Sequence, residues 1–161
     1  MNVTSASGPI FLSGYSDETK KLLINPGITW TEIQDYMDKC VDASTNNNIS
    51  TDLDFSSGST YGLSKACTNA YTIFLAGQHP YLTVNACTPG FIETDMTRPM
   101  AVSVGKTPDE MGMKSPEEGA SASVFLLMGN PEGSGHYYGS DCLRSPIDRY
   151  RSPGDPPYTG D

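Results

Sequence analysis

Histidine is nearly absent from this 161-residue chain, with only His79 and His136. The four cysteines, Cys40, Cys67, Cys87 and Cys142, are widely scattered and form no C-x-x-C pair. These scarcities argue against a Cys/His metal centre. The thiols read instead as buried free groups of a reducing compartment. Positive charge is also short: 10 Lys and Arg stand against 19 Asp and Glu, a net charge of -9. Nucleic-acid binding as a main activity is disfavoured, because phosphate contacts need Lys and Arg. No apolar run approaches the length of a membrane span. The opening Met-Asn-Val-Thr-Ser has no basic stretch followed by an apolar one, so it does not read as a secretion signal. The glycosylation triplets at Asn2 and Asn48 therefore carry little weight. A cytoplasmic protein, bound to neither membrane nor nucleic acid, is the expectation.

The length suits one ordinary domain with a real core. Residues 1 to 5 read as the tail of a buried strand, and Ser7-Gly8-Pro9 breaks it. A short helix is expected from Ser16-Asp17-Glu18 to about Leu23, stopped by Asn25-Pro26-Gly27. Thr29-Trp30-Thr31-Glu32 matches a capping box. After it Ile33, Tyr36, Met37, Cys40 and Val41 recur at helical spacing. Residues 44 to 58 read as a polar loop. The next helix is expected from Ser59 to Gly77, with Leu63, Ala66, Cys67, Ala70, Tyr71 and Phe74 as its apolar stripe. Leu82 to Ala86 reads as a strand, and Pro89-Gly90 as the turn at its C-terminal end. Residues 97 to 114, rich in Met and broken by Gly, read as a lid-like segment. Ser115-Pro116-Glu117-Glu118 opens a further helix carrying Ala120, Val124, Leu127 and Met128, and Gly129 closes it. A last short strand is expected at Gly135 to Gly139, followed by an irregular tail with many prolines.

Tyr61 and Lys65 are the most informative pair. Four residues apart on a helix, they sit one above the other. A phenol ionises near pH 10, and a neighbouring cation pulls that value toward neutrality, giving a proton donor or acceptor. The pair lies opposite the apolar stripe, so it faces either solvent or a cavity. Ser5 precedes it at a strand end, and Pro89-Gly90-Phe91-Ile92-Glu93-Thr94 follows another strand. The order of elements suits the C-terminal half of a doubly wound, Rossmann-like parallel α/β sheet.

Three blocks resemble the short-chain dehydrogenase/reductase family. Asn2-Val3-Thr4-Ser5-Ala6-Ser7-Gly8 is similar to its catalytic-serine strand end. Tyr61-x-x-x-Lys65 is similar to its signature. Asn85 to Met96 is similar to its nicotinamide-side loop. The long insert between Ser5 and Tyr61, with Lys114-Ser115-Pro116-Glu117-Glu118-Gly119-Ala120, resembles the monomeric NADPH-dependent carbonyl reductases. The resemblance places a partial domain at residues 1–141, with a helical insert at about 9–56, and leaves 142–161 as the tail. It implies hydride transfer from NADP(H), with NAD(H) not excluded, to a ketone, aldehyde or quinone. Ser5, Tyr61 and Lys65 would be catalytic. Tyr61 and Lys65, with Pro89, Gly90, Ile92, Glu93 and Thr94, would contact the cofactor. No metal is implied, and a monomer is expected because the insert covers the face through which other members dimerise.

One departure shapes the expectation. The family grips the cofactor pyrophosphate with a glycine-rich turn after its first strand. The sequence opens on no such turn, and Gly133-Ser134-Gly135 reads as an ordinary loop. The N-terminal cofactor half is therefore expected to be missing. The chain would then be a truncated sequence that binds cofactor weakly, exposes a sheet edge and has little activity alone. The alternative is a non-enzymatic fragment or binding module.

Overall fold

The computed structural model describes residues 1–45 and 60–160. The expected polar loop lies almost wholly outside the described residues. Four two-residue strands make one sheet in the order β1 (Asn2–Val3), β2 (Ala86–Cys87), β3 (Tyr137–Tyr138) and β4 (Arg144–Ser145). The first three are parallel, with Asn2 opposite Ala86 and Ala86 opposite Tyr137. β4 runs antiparallel to β3. The chain is thus a mixed α/β protein with a mostly parallel sheet.

The helices are α1 (Ser7–Ser13), α2 (Asp17–Leu23), α3 (Trp30–Thr45), α4 (Thr60–Gln78), α5 (Arg98–Ser103) and α6 (Pro116–Met128). α3 and α6 begin where their capping signals lie. The Glu32 carboxylate accepts from the Thr29 N–H at 2.8 Å, and Thr29 Oγ1 accepts from the Glu32 N–H at 3.2 Å. Ser115 and Glu118 cap each other in the same reciprocal way. α1 has no forerunner in the sequence reading, since Gly8 and Pro9 look like strand breakers. They fall in the first helical turn, where a missing N–H costs nothing and helix has yet to propagate.

α1, α2 and α3 pack on α4 around one core that includes Leu12, Leu23, Ile33, Cys40, Ala66 and Ala70. α4 buries the stripe read from its sequence, with Tyr71 and Phe74 half-buried. Gly8 lets α1 approach closely: a Cβ there would lie 3.0 Å from the Lys65 carbonyl carbon and 3.1 Å from the Ala66 nitrogen. A smaller cluster of Cys87, Ala122 and Tyr138 joins α6 to the sheet.

Two expectations require correction. α6 buries Gly119 and Ala122, whereas Val124, Leu127 and Met128 are exposed. The helix is apolar on both sides, so its pattern does not identify the packed face. The strand expected at Leu82 to Ala86 forms only at Ala86–Cys87, and Leu82 is exposed. Before β2, side chains supplement the backbone ladder, in which the Gly135 N–H donates to the Val84 carbonyl at 2.7 Å. The Asn85 amide donates to the Gly133 carbonyl at 3.1 Å and accepts from the His136 N–H at 2.9 Å. Ser134 Oγ accepts from the Val84 N–H. The lid-like segment contains α5 and a 3-10 turn at Asp109–Met111, and it buries Met113 while leaving Met100 exposed. Beyond Cys142 the chain makes β4 and folds back: the Tyr158 N–H donates to the Arg144 carbonyl.

Candidate active site

Ser5 follows β1, and Thr88-Pro89-Gly90-Phe91 follows β2. Both segments leave the C-terminal ends of neighbouring parallel strands, where open α/β sheets place their ligands. One hydroxyl ties them together. Thr88 Oγ1 accepts from the Ala6 N–H at 3.3 Å and the Gly90 N–H at 3.1 Å. Gly90 takes φ +91°, and a Cβ there would press on Ser140 at 3.1 Å, so the turn needs glycine on two counts. Ser5, Thr88, Gly90 and Phe91 line one cavity of about 350 Å³, closed from the sheet side by Tyr137 and Ser140. Burial pushes the Tyr137 phenol up, against a smaller opposing effect of its hydrogen bond with Thr88.

The Ser5 hydroxyl donates to Ser7 Oγ at 3.2 Å and accepts from the Ser7 N–H at 3.2 Å. It is half-buried and lines the cavity. Tyr61 and Lys65 stack as their spacing requires, with Lys65 Nζ 5.4 Å from the Tyr61 ring centroid. Tyr61 is 54% exposed, and neither residue lines the Ser5 cavity. The link between pair and cavity is the α1–α4 contact, in which Gly8, three residues beyond Ser5, abuts the backbone of Lys65. The structure therefore joins Ser5 with Gly90 in one crevice and sets the Tyr61–Lys65 pair on the helix packed against that crevice's first wall.

The remaining residues of the loop are engaged within the protein. Ile92 is buried, and its side chain sits where a Cβ on Gly119 would fall, 2.7 Å from Cγ1. Its carbonyl accepts from the Thr97 hydroxyl. Glu93 pairs with Arg98 at 2.9 Å. The Thr94 N–H donates to Thr97 Oγ1 at 2.9 Å, and the next helix begins at Arg98. Pro89 is half-buried between Thr88 and Gly90. A nicotinamide cofactor fits this side in part. The Gly90 turn leaves a bare backbone at the crevice and Thr94 offers a half-buried hydroxyl, whereas no glycine-rich strand-to-helix turn occurs among the described residues. Among the described residues no group of His, Cys, Asp and Glu could hold a metal ion, and no helix is long and apolar enough to cross a membrane.

Sequence reading missed Thr88, Tyr137, Ser140 and Arg151 as cavity residues. Thr88 had a signal, a hydroxyl directly before the Pro89-Gly90 turn. Arg151 had none, because its partner Asp141 lies ten residues away in an irregular stretch.

No family model matches the chain. Salutaridine reductase of Papaver somniferum is 32% identical over 145 residues, which is 88% of this chain and 42% of that protein. The NADPH carbonyl reductase 3 of Rattus norvegicus is 28% identical over 140 residues, 83% of this chain and 46% of that protein. The (+)-neomenthol dehydrogenase of Arabidopsis thaliana is 43% identical over a shorter stretch of 70 residues, 44% of this chain and 20% of that protein. The solved structure of the Papaver somniferum salutaridine reductase superposes with a TM-score of 0.65 at 31% identity, covering 85% of this chain and 43% of that one. The chain thus spans less than half the length of these relatives. Sequence and backbone together show that the chain is a short-chain dehydrogenase/reductase family relative of salutaridine reductase and the carbonyl reductases.

Proposed function

We propose that this chain carries the carbonyl-side chemistry of an NADPH-dependent reductase acting on a ketone, aldehyde or quinone. The observation that supports this most is the shared crevice of Ser5 and Gly90 at the ends of two parallel strands, with the Tyr61–Lys65 pair on the helix packed behind Ser5. When bound, the nicotinamide cofactor supplies the hydride. The Ser5 hydroxyl turns from Ser7 to donate to the substrate carbonyl oxygen. Tyr61 gives its proton to that oxygen as it becomes an alkoxide, and the Lys65 ammonium offsets the charge left on the phenolate. A positioned proton donor contributes roughly 10²- to 10⁴-fold to such a step. Tyr61, Lys65, Pro89, Gly90, Ile92, Glu93 and Thr94 would make up the cofactor side, with Gly90 the member that lines the Ser5 crevice.

The test is a chimaera in which this chain replaces the matching 42% of salutaridine reductase. NADPH-dependent reduction of a carbonyl compound is expected. Tyr61→Phe should lower kcat by at least about 100-fold while cofactor binding persists. A chimaera that binds NADPH yet turns over equally well with Phe at 61 overturns the reading. The other reading, a binding module, draws on the exposed Val3 at the outer edge of β1. Self-association of the chain that a Val3→Lys variant abolishes would favour it.

A further inference from the structure

The cavity at Ser5 has a wall that the reductase reading does not use. Tyr150, Arg151 and Pro153, from the segment after β4, line it together with Ser5 and Gly90. This segment has no secondary structure to hold it. Two carboxylates do so instead: Asp155 accepts from the Ser152 N–H at 3.0 Å, and Asp141 makes the larger set of bonds. Asp141 Oδ2 accepts from Arg151 Nη1 at 2.9 Å, from Arg151 Nη2, and from the Gly154 N–H at 3.0 Å. Asp141 Oδ1 accepts from the Leu143 N–H at 3.3 Å, inside the turn between β3 and β4. The Arg151 side chain is only 6% exposed and that of Asp141 18%. The other three ion pairs among the described residues are far more open. A buried, multiply bonded Arg–carboxylate pair fixes geometry more firmly than an exposed one.

We propose that Tyr150–Pro153 is a specificity wall of the carbonyl crevice, locked by Arg151 acting through Asp141, and that it restricts the site to compact ring ketones and aldehydes. Arg151 is a positioning residue. Its Nη1 and Nη2 bond Asp141 while its buried Nε has no partner among the described residues, and Tyr150 and Pro153 supply the rest of the wall's surface. A cavity of about 350 Å³ lies near the small end of ligand pockets. Releasing the wall opens that end without touching Ser5, Tyr61 or Lys65. The inference rests on the carbonyl reading of the crevice.

The test uses the full chain, labelled with ¹⁵N and titrated with α-tetralone and with the longer benzophenone. Tetralone is expected to shift the amides of Ser5, Gly90 and Tyr150–Ser152 at one common Kd, and benzophenone to bind at least 5-fold more weakly. Arg151→Met should shrink that preference at least 3-fold, Asp141→Asn should act in the same direction, and Arg151→Lys should restore part of it. Shifts at Ser5 and Gly90 without shifts at Tyr150–Ser152 overturn the wall and leave the carbonyl reading standing. An unchanged preference in Arg151→Met also overturns it. Absence of shifts at Ser5 and Gly90 overturns both. The wild-type titration decides even if a variant fails to fold.

Discussion

Gly8→Ala isolates the contact on which the site's assembly depends. The new methyl group would meet the Lys65 carbonyl carbon at 3.0 Å, the Ala66 nitrogen at 3.1 Å and the Asn69 amide nitrogen at 3.0 Å. Two of these three are backbone atoms of α4, which cannot rotate aside as a side-chain tip would. Alanine is otherwise the better residue in a helix, by up to about 1 kcal/mol over glycine, though less in the first turn. Overpacking a dense contact costs about 1–3 kcal/mol. The steric effect should therefore win, leaving the variant about 1–2 kcal/mol less stable. For a chain of this size that lowers Tm by about 3–6 °C. Gly14→Ala is the control: it ends the same helix, its φ is −87°, and the nearest atom to an added Cβ is 3.7 Å away. It should be neutral or slightly stabilising. Urea and thermal unfolding of the two variants beside the parent give the comparison. A Gly8→Ala midpoint equal to or above that of the parent would refute the claim that α1 and α4 touch backbone to backbone here.

Burial pushes the Cys67 thiol up to about 12 from its ordinary 9.0. Between those values the unfolded chain loses a proton that the folded chain keeps. Stability should therefore be level below pH 9 and fall by roughly 1 kcal/mol per pH unit above it. Urea midpoints under reducing conditions at pH 8, 9.5 and 10.5 follow this fall, and Cys67→Ala should make it shallower while Cys40, Cys87 and Cys142, also pushed up by burial, keep part of it; an unchanged slope in the variant would rule Cys67 out as a source. Ser115→Ala removes the reciprocal cap of α6 and should cost about 1 kcal/mol, whereas an exposed serine such as Ser121 should tolerate alanine, so equal midpoints for the two would refute the capping argument. Titration calorimetry of the chain with NADPH should show binding weaker than micromolar, because no glycine-rich phosphate turn occurs among the described residues; micromolar affinity would mean another group holds the pyrophosphate.

The parts legible in the sequence are those with a local signature. Thr29 and Glu32, Ser115 and Glu118, and the Leu63-to-Phe74 stripe each announce themselves within one or two helical turns. Tyr61 and Lys65 meet for the same reason. The parts that escaped depend on pairings distant in the chain or on competing patterns. Arg144-Ser145 has no apolar alternation, and only its partner Tyr137-Tyr138 makes it a strand. Val124, Leu127 and Met128 have helical spacing, yet the face that packs is marked by the small residues Gly119 and Ala122, which let Ile92 and Cys87 approach. The hydrogen bonds from Ala6 and Gly90 to Thr88 span 82 residues in one case and two in the other. Only the folded chain brings them to one oxygen.

A sheet whose strands are two residues long leans on the residues that flank them: the Asn2 N–H donates to the Asn85 carbonyl and the Gly135 N–H to the Val84 carbonyl. The Asn85 side chain adds to these bonds, its amide gripping both ends of the Gly133–His136 loop before β2 and β3 begin. Loss of that buried amide should thus disturb both ends of the loop at once. Lengthening the Gly133–His136 loop by a single residue would slide β3 past β2 and carry Tyr137 and Ser140 away from the crevice. The shape of the crevice thus depends in part on a side chain at the far end of the strand that leads to it.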